Sequence, residues 1–165
     1  MSADDDTRPR IGDFSIGMWS GDTLFLSGVI GFDGGVGRVV EGYNDLPPDA
    51  TEKLSSGHRS IDLREGPIVA QAWVAYSLID AALRSEGLSF DNVVKITHYL
   101  TDFTDFPAYN RVRNIFLGES PPASTVVEVT QLLPSPATRL EVDVVACRGK
   151  PVGLGPVGTD WKRRA

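Results

Sequence analysis

The sequence predicts one α+β domain, with two helices packed on one face of a mixed β-sheet. Three observations predict it. Two apolar-rich runs joined by the small-residue cluster Ser20-Gly21-Asp22 open the chain as a hairpin. Ile68, Ala72, Ala75, Ile79 and Ala82 then recur at helical spacing. Beyond them, residues 93–100 alternate in the period of a strand. At 165 residues the chain suits a single core and is short for two.

Residues 1–10 are charged and read as a flexible tail, and the domain proper is expected over 11–148. Residues 14–19 and 23–30 form the hairpin strands. Leu24-Phe25-Leu26-Ser27-Gly28-Val29-Ile30 is nearly continuous in apolar character, as a strand covered on both faces would be. Four glycines between 31 and 37 predict a loop, and residues 38–41 a short strand. Residues 43–66 contain Pro47-Pro48 and Ser55-Ser56-Gly57 without clear periodicity, so they read as a long inserted surface loop. Pro67 suits the first turn of a helix, which Gly87 stops. In the strand at 93–100, Val94, Ile96, His98 and Leu100 share a face. Residues 105–117 form a second helix, with Phe106, Val112 and Phe116 toward the core, and strands at 125–132 and 139–147 follow. The Gly- and Pro-rich residues 149–165 read as a C-terminal tail. Two helices cover only one face of such apolar strands, so the second face calls for self-association.

Composition narrows the function. A net charge of −6 argues against a phosphate-gripping basic face, so no nucleic-acid partner is expected. The first residues are acidic and carry no signal-peptide apolar core, and no run approaches a membrane span; no membrane partner and a cytoplasmic home are expected. The single cysteine, Cys147, closes an apolar run and reads as a buried strand residue. His58 and His98, far apart, give no metal-ligand spacing, so no metal is expected. The glycines at 31–37 lead into a strand, not a helix, which excludes a phosphate-binding loop of the familiar kind.

Seven segments in order carry a resemblance: Leu26-Ser27-Gly28, Gln71, Asn92-Val93-Val94-Lys95, Leu100-Thr101-Asp102, Asp105-Phe106 with Asn110, Pro122-Ala123 with Val127-Glu128-Val129, and 140–146. Over about residues 11–147 the chain resembles the YjgF/RidA family. The resemblance implies a chorismate-mutase-like α+β fold, a homotrimer, clefts between subunits, a small-molecule substrate and no cofactor. Its best-known members hydrolyse enamines and imines to ketoacid and ammonia.

One position departs from that pattern. Deaminating members hold the substrate carboxylate with an arginine directly after the Pro-Ala pair, where this chain has Ser124. Exchanging a guanidinium fork for one neutral hydroxyl bond costs about 1.5–3 kcal/mol at a partly buried site. Val126, two residues on, makes the expected cleft more apolar. Glu141 matches the glutamate that the resemblance assigns to positioning or activating water. Arg139 and Asp143 are expected on its face: a neighbouring carboxylate would raise its pKa, while an ion pair with Arg139 would make it structural. Glu128 is an alternative acid.

Phe14, Asn110, Ser27 and Gly28 match positions near the family cleft; each also fits a packing, local hydrogen-bonding or bulge role. His98 fits a hydrogen-bonded core group or a catalyst. His58 and Arg59, with Arg64, could face a ligand if the 43–66 loop closes over the site, anchored by Leu46, Leu54 and Leu63; otherwise they are solvated. Two function classes stay open: a RidA-type enzyme of altered specificity, and a non-catalytic small-molecule-binding or chaperone-like trimer.

Overall fold

The computed structural model describes residues 14–118, 121–149 and 151–153. The expected N-terminal tail and most of the C-terminal one lie outside these residues.

The hairpin forms where Ser20-Gly21-Asp22 places it. Strands β1 (Gly17–Ser20) and β2 (Thr23–Leu26) pair antiparallel around Gly21, whose φ of 58° suits a residue without a Cβ. The long apolar run then breaks at Ser27-Gly28 and resumes as β3 (Val29–Ile30). The glycine-rich stretch is a second small hairpin, β4 (Phe32–Asp33) with β5 (Arg38–Val39). Helix α1 (Pro48–Leu54) and the long helix α2 (Arg59–Ser85) follow. Strand β6 (Val93–Leu100), helix α3 (Phe106–Leu117), β7 (Ala123–Glu128) and β8 (Leu140–Cys147) complete the order. The main sheet runs β1-β2-β8-β6-β7, with β3 also on β8; β6–β7 is parallel and its other pairings are antiparallel.

One sheet face carries the core. Leu24, Leu26, Ile96, Leu100, Leu140, Val142, Val144 and Ala146 meet Ile68, Ala72, Ala75, Ile79 and Leu83 of α2 and Val112 of α3. Gly31 lets α2 come close: a Cβ there would stand 2.4 Å from Gln71 Cα. Gln71 is fully buried and ties three backbone segments together. Its Nε2 donates to the Val40 and Ala137 carbonyls (3.1 and 2.8 Å), and its Oε1 accepts from the Arg139 amide (2.8 Å). By length and composition α2 could cross a membrane, but its buried side belongs to this core. The opposite sheet face is open, with Met18 64% and Phe25 48% exposed.

Several expectations need correction. Residues 43–66 are not a loop: they hold a short 3-10 turn (Tyr43–Asp45), α1 and the first two turns of α2, so the described residues contain three α-helices. Pro48 occupies the first turn of α1, where its missing N–H is harmless. Leu46 and Ala50 bury against Val40 and Ala70 in a small core of their own, with Leu54 packed beside it, whereas Leu63 is 71% exposed. Pro67 lies inside α2 instead of starting it. Its ring removes the bond to the Leu63 carbonyl, which that residue's exposure leaves open to water. A bulge between Val93 and Lys95 turns Val93, rather than Val94, into the core. The late strands are shorter than read, and Arg139 precedes β8.

Candidate functional site

Strand register sorts the candidates onto two faces. Glu141 pairs with Tyr99 and Ile30, and Asp143 with Thr97, so both acids lie on the open face. Ser124 pairs with Ile96 and Val126 with His98, which places both on the helix side. The described chain therefore does not bring Ser124 and Glu141 together.

On the open face the two acids differ. Tyr99 donates its hydroxyl to Asp143 Oδ2 at 3.0 Å. Glu141 is half-buried, and burial first, then the Asp143 charge, raises its pKa above the usual carboxylate range. Its carboxylate lies over Gly28, where a Cβ would stand 1.9 Å from Oε1. Gly28 is thus the residue that makes room for Glu141. Ser27 is spent locally, donating to the Ser15 carbonyl at 2.6 Å. Phe14 is 60% exposed beyond the start of β1.

The expected grouping of Arg139 with Glu141 and Asp143 does not form. Arg139 donates through Nη1 to both oxygens of Asp105, at 3.0 and 3.2 Å. Glu128 Oε2 accepts from the Phe103 amide at 3.0 Å, a local clamp on the turn before α3.

On the helix side, Ser124 heads a chain that sequence reasoning did not assemble. Its Oγ lies 3.0 Å from His98 Nε2, His98 Nδ1 is bonded to the Tyr109 hydroxyl, and that hydroxyl meets Tyr76 OH at 2.8 Å. His98, Tyr109 and Tyr76 are fully buried. Burial, then the Arg113 and Lys95 charges, lowers the His98 pKa to about 3, so the ring is neutral at physiological pH. Burial also raises Tyr76 to about 12 and pushes Tyr109 higher still. Phe103, Phe106 and Val126 line an apolar hollow of about 310 Å³, with Val126 two residues from Ser124 on the same face of β7. Asn110 accepts from Arg113 Nη1 at 2.9 Å and so has a local role on α3.

His58 and Arg59 lie elsewhere. His58 precedes α2, and Arg59 lines an open cleft of about 710 Å³ with Arg38, Tyr43, Asp45 and Asp62. Arg64 pairs with Glu65, which also holds Arg111 of α3 at 2.6 Å. No group of His, Cys, Asp and Glu among the described residues could hold a metal ion.

Comparison with known proteins places this geometry in a family. The endoribonuclease L-PSP family model matches residues 6–148. A RutC family protein of Pyrococcus horikoshii is 31% identical over 122 residues, covering 74% of this chain and 78% of that protein. A 2-iminobutanoate/2-iminopropanoate deaminase of Capra hircus is 28% identical over 139 residues, 84% of this chain and 82% of that protein. A solved structure from Klebsiella pneumoniae, described as a candidate endoribonuclease, superposes with a TM-score of 0.79 at 34% identity, covering 84% of this chain and all of that one (100%). Escherichia coli TdcF, solved with bound serine, shares the fold with a TM-score of 0.63 at 24% identity over 86% of this chain and 93% of that one. The chain belongs to the endoribonuclease L-PSP family, also called YjgF/RidA.

Proposed function

We propose that this protein is a small-molecule enzyme of the RidA type that hydrolyses an enamine or imine, with Glu141 as its acid/base group and Ser124 in place of the usual carboxylate-holding arginine. One observation carries the reading. Glu141 is a half-buried carboxylate with a raised pKa on an otherwise open face, and Gly28 is cut away to admit it. Asp143, by contrast, is held by Tyr99. A carboxylate whose pKa is raised holds a proton more readily than a free one, as an acid/base group needs.

In the proposed reaction the oxygen of a water bonds to the imine carbon while Glu141 accepts the water proton. The same carboxyl protonates the nitrogen to give a carbinolamine. It then takes the carbinolamine hydroxyl proton and passes it to the nitrogen as the C–N bond breaks, so that ammonia leaves and a carbonyl forms. No cofactor enters this balance. The opposite orientations of Ser124 and Glu141 support a site completed by a second copy of the chain, and a homotrimer is part of the proposal. The Ser124 hydroxyl offers one neutral bond, so the substrate is a specialised one whose carboxylate, if present, is not gripped by a guanidinium at that position.

The test generates 2-iminobutanoate and less acidic imines in situ and follows carbonyl release with the purified protein. The reading expects Glu141-dependent turnover of at least one imine, slow for 2-iminobutanoate. Turnover unchanged in Glu141→Gln removes the mechanism. Binding without any turnover would leave the second reading, a non-catalytic small-molecule binder. The family description also names an endoribonuclease, and RNA in the same assay tests it; the net charge of −6 counts against that activity.

A further inference from the structure

The hydrogen-bond chain behind Ser124 has a direction. Tyr76, Tyr109 and His98 are fully buried, so each of their polar hydrogens needs an acceptor inside the protein. Among the described residues the Tyr76 hydroxyl has one partner, Tyr109. Two orderings are conceivable.

If Ser124 donated to His98 Nε2, Nδ1–H would donate to Tyr109 and Tyr109 to Tyr76. The Tyr76 hydrogen would then be stranded in the core, at a cost of about 1–3 kcal/mol. In the reverse order Tyr76 donates to Tyr109, Tyr109 to His98 Nδ1, and His98 Nε2–H to Ser124 Oγ. Every buried donor is then used, and the unspent hydrogen is that of Ser124, which sits at the surface. Depletion of proton affinity by burial keeps the imidazole in its neutral, one-hydrogen form, as this ordering requires. Each bond in such a chain polarises the next, so the outward hydroxyl becomes a stronger donor than an isolated serine.

The surroundings say what it donates to. Val126 lies two residues along the same face of β7, and with Phe103 and Phe106 it forms the apolar hollow of about 310 Å³. An ionised carboxylate entering such a wall loses solvation that one neutral hydroxyl cannot replace. An uncharged carbonyl oxygen loses far less.

We propose that Tyr76, Tyr109 and His98 are positioning residues that hold Ser124 as an outward donor, and that Ser124 with the Phe103, Phe106 and Val126 wall is a subsite for an uncharged carbonyl group bearing a short aliphatic chain. This deepens the proposed small-molecule function at Ser124 but is independent of the chemistry assigned to Glu141.

Two measurements test it on the intact protein. Nitrogen-15 NMR of His98 reads the tautomer directly and needs no variant. The expected result is a protonated Nε2 and an unprotonated Nδ1; the opposite tautomer overturns the relay. Titration with butanamide and with butanoate, followed through the amide signals of 124 and 126, reads the subsite. Butanamide is expected to bind more tightly, and Ser124→Ala to weaken it about 5-fold, the worth of one neutral hydrogen bond. Tyr76→Phe, which removes the donor that sets the direction, is expected to mix the His98 tautomers and weaken butanamide binding less than Ser124→Ala does. Tighter butanoate binding, or an unchanged Ser124→Ala, overturns the subsite. Neither readout follows imine turnover, so loss of hydrolysis with the His98 tautomer and butanamide binding as expected, or the reverse, separates failure of the hydrolytic reading from failure of this one.

Discussion

Ser124 and Glu141 point to opposite faces of one sheet: Ser124 stands beside Ile96 and Glu141 beside Tyr99, three residues further along β6. An odd offset on a strand always reverses the face, so no side-chain rotation within one chain unites them.

That arrangement makes assembly the first prediction. The open face, with Met18 and Phe25 exposed, is expected to be covered by other copies. Sedimentation equilibrium should give the mass of three 17.8-kDa chains. A single-chain mass at micromolar concentration would remove the shared site from the argument.

Gly28 and Gly31 predict a contrast. A Cβ at 28 meets the mobile end of Glu141, so Gly28→Ala should displace the carboxylate at a stability cost of only about 1 kcal/mol. Imine turnover should then fall as far as in Glu141→Gln, by about 100-fold if the residue is the general acid/base. At 31 the Cβ meets the backbone of Gln71, which cannot step aside. Gly31→Ala should cost about 3 kcal/mol or more in urea unfolding. Equal stability losses for the two variants would contradict the packing described.

His98 predicts the pH dependence of stability. Its folded pKa is about 3, while the unfolded chain binds a proton near the ordinary value of about 6.5. Between these values the unfolded state holds more protons, so stability falls as the solution is acidified from pH 6.5 toward 3. The slope is at most about 1.4 kcal/mol per pH unit. Asp45, Asp62 and Glu65, whose pKa values are lowered, add to the loss in the carboxylate range. The histidine contribution is therefore clearest between pH 5 and 6.5. Glu141 and Asp105, whose pKa values are raised, contribute the opposite slope, so the test is the difference between the parent and His98→Gln in denaturant titrations. The parent should lose more stability on acidification across that window, and identical profiles would contradict the neutral buried ring.

Much of the architecture was legible because it rests on local periodicity. The stripe from Ile68 to Ala82 and the alternation over 93–100 report their elements directly. Proline misleads in two places for opposite reasons. Pro67 has the chemistry of a helix start, yet the turns before it persist because the carbonyl it deprives is exposed. Pro47-Pro48 has the look of a loop, but Pro48 opens α1. The site divides similarly. Glu141 was found through resemblance, and its half-buried setting suits the role proposed. Of its companions, Asp143 was expected on its face and Gly28 near the cleft; Tyr99, which joins them through pairing of β6 with β8, was not found. The His98 chain joins residues 76, 98, 109 and 124 across two helices and two strands. The alternation did place His98 inward, where a buried ring must find partners.

Pro67 also divides α2 in time. From Ile68 onward the helix is locked beneath the sheet, while residues 59–64 are largely exposed and hang on fewer tertiary ties. With one rung of the ladder missing between the two parts, opening of the outer turns need not propagate inward. The helix should therefore breathe as two units, and deuterium uptake should be fast before Pro67 and slow beyond it. The Glu65–Arg111 pair couples the outer unit to α3. Severing it with Arg111→Ala should quicken uptake only on that side, leaving the segment that carries Gln71 and Tyr76 undisturbed.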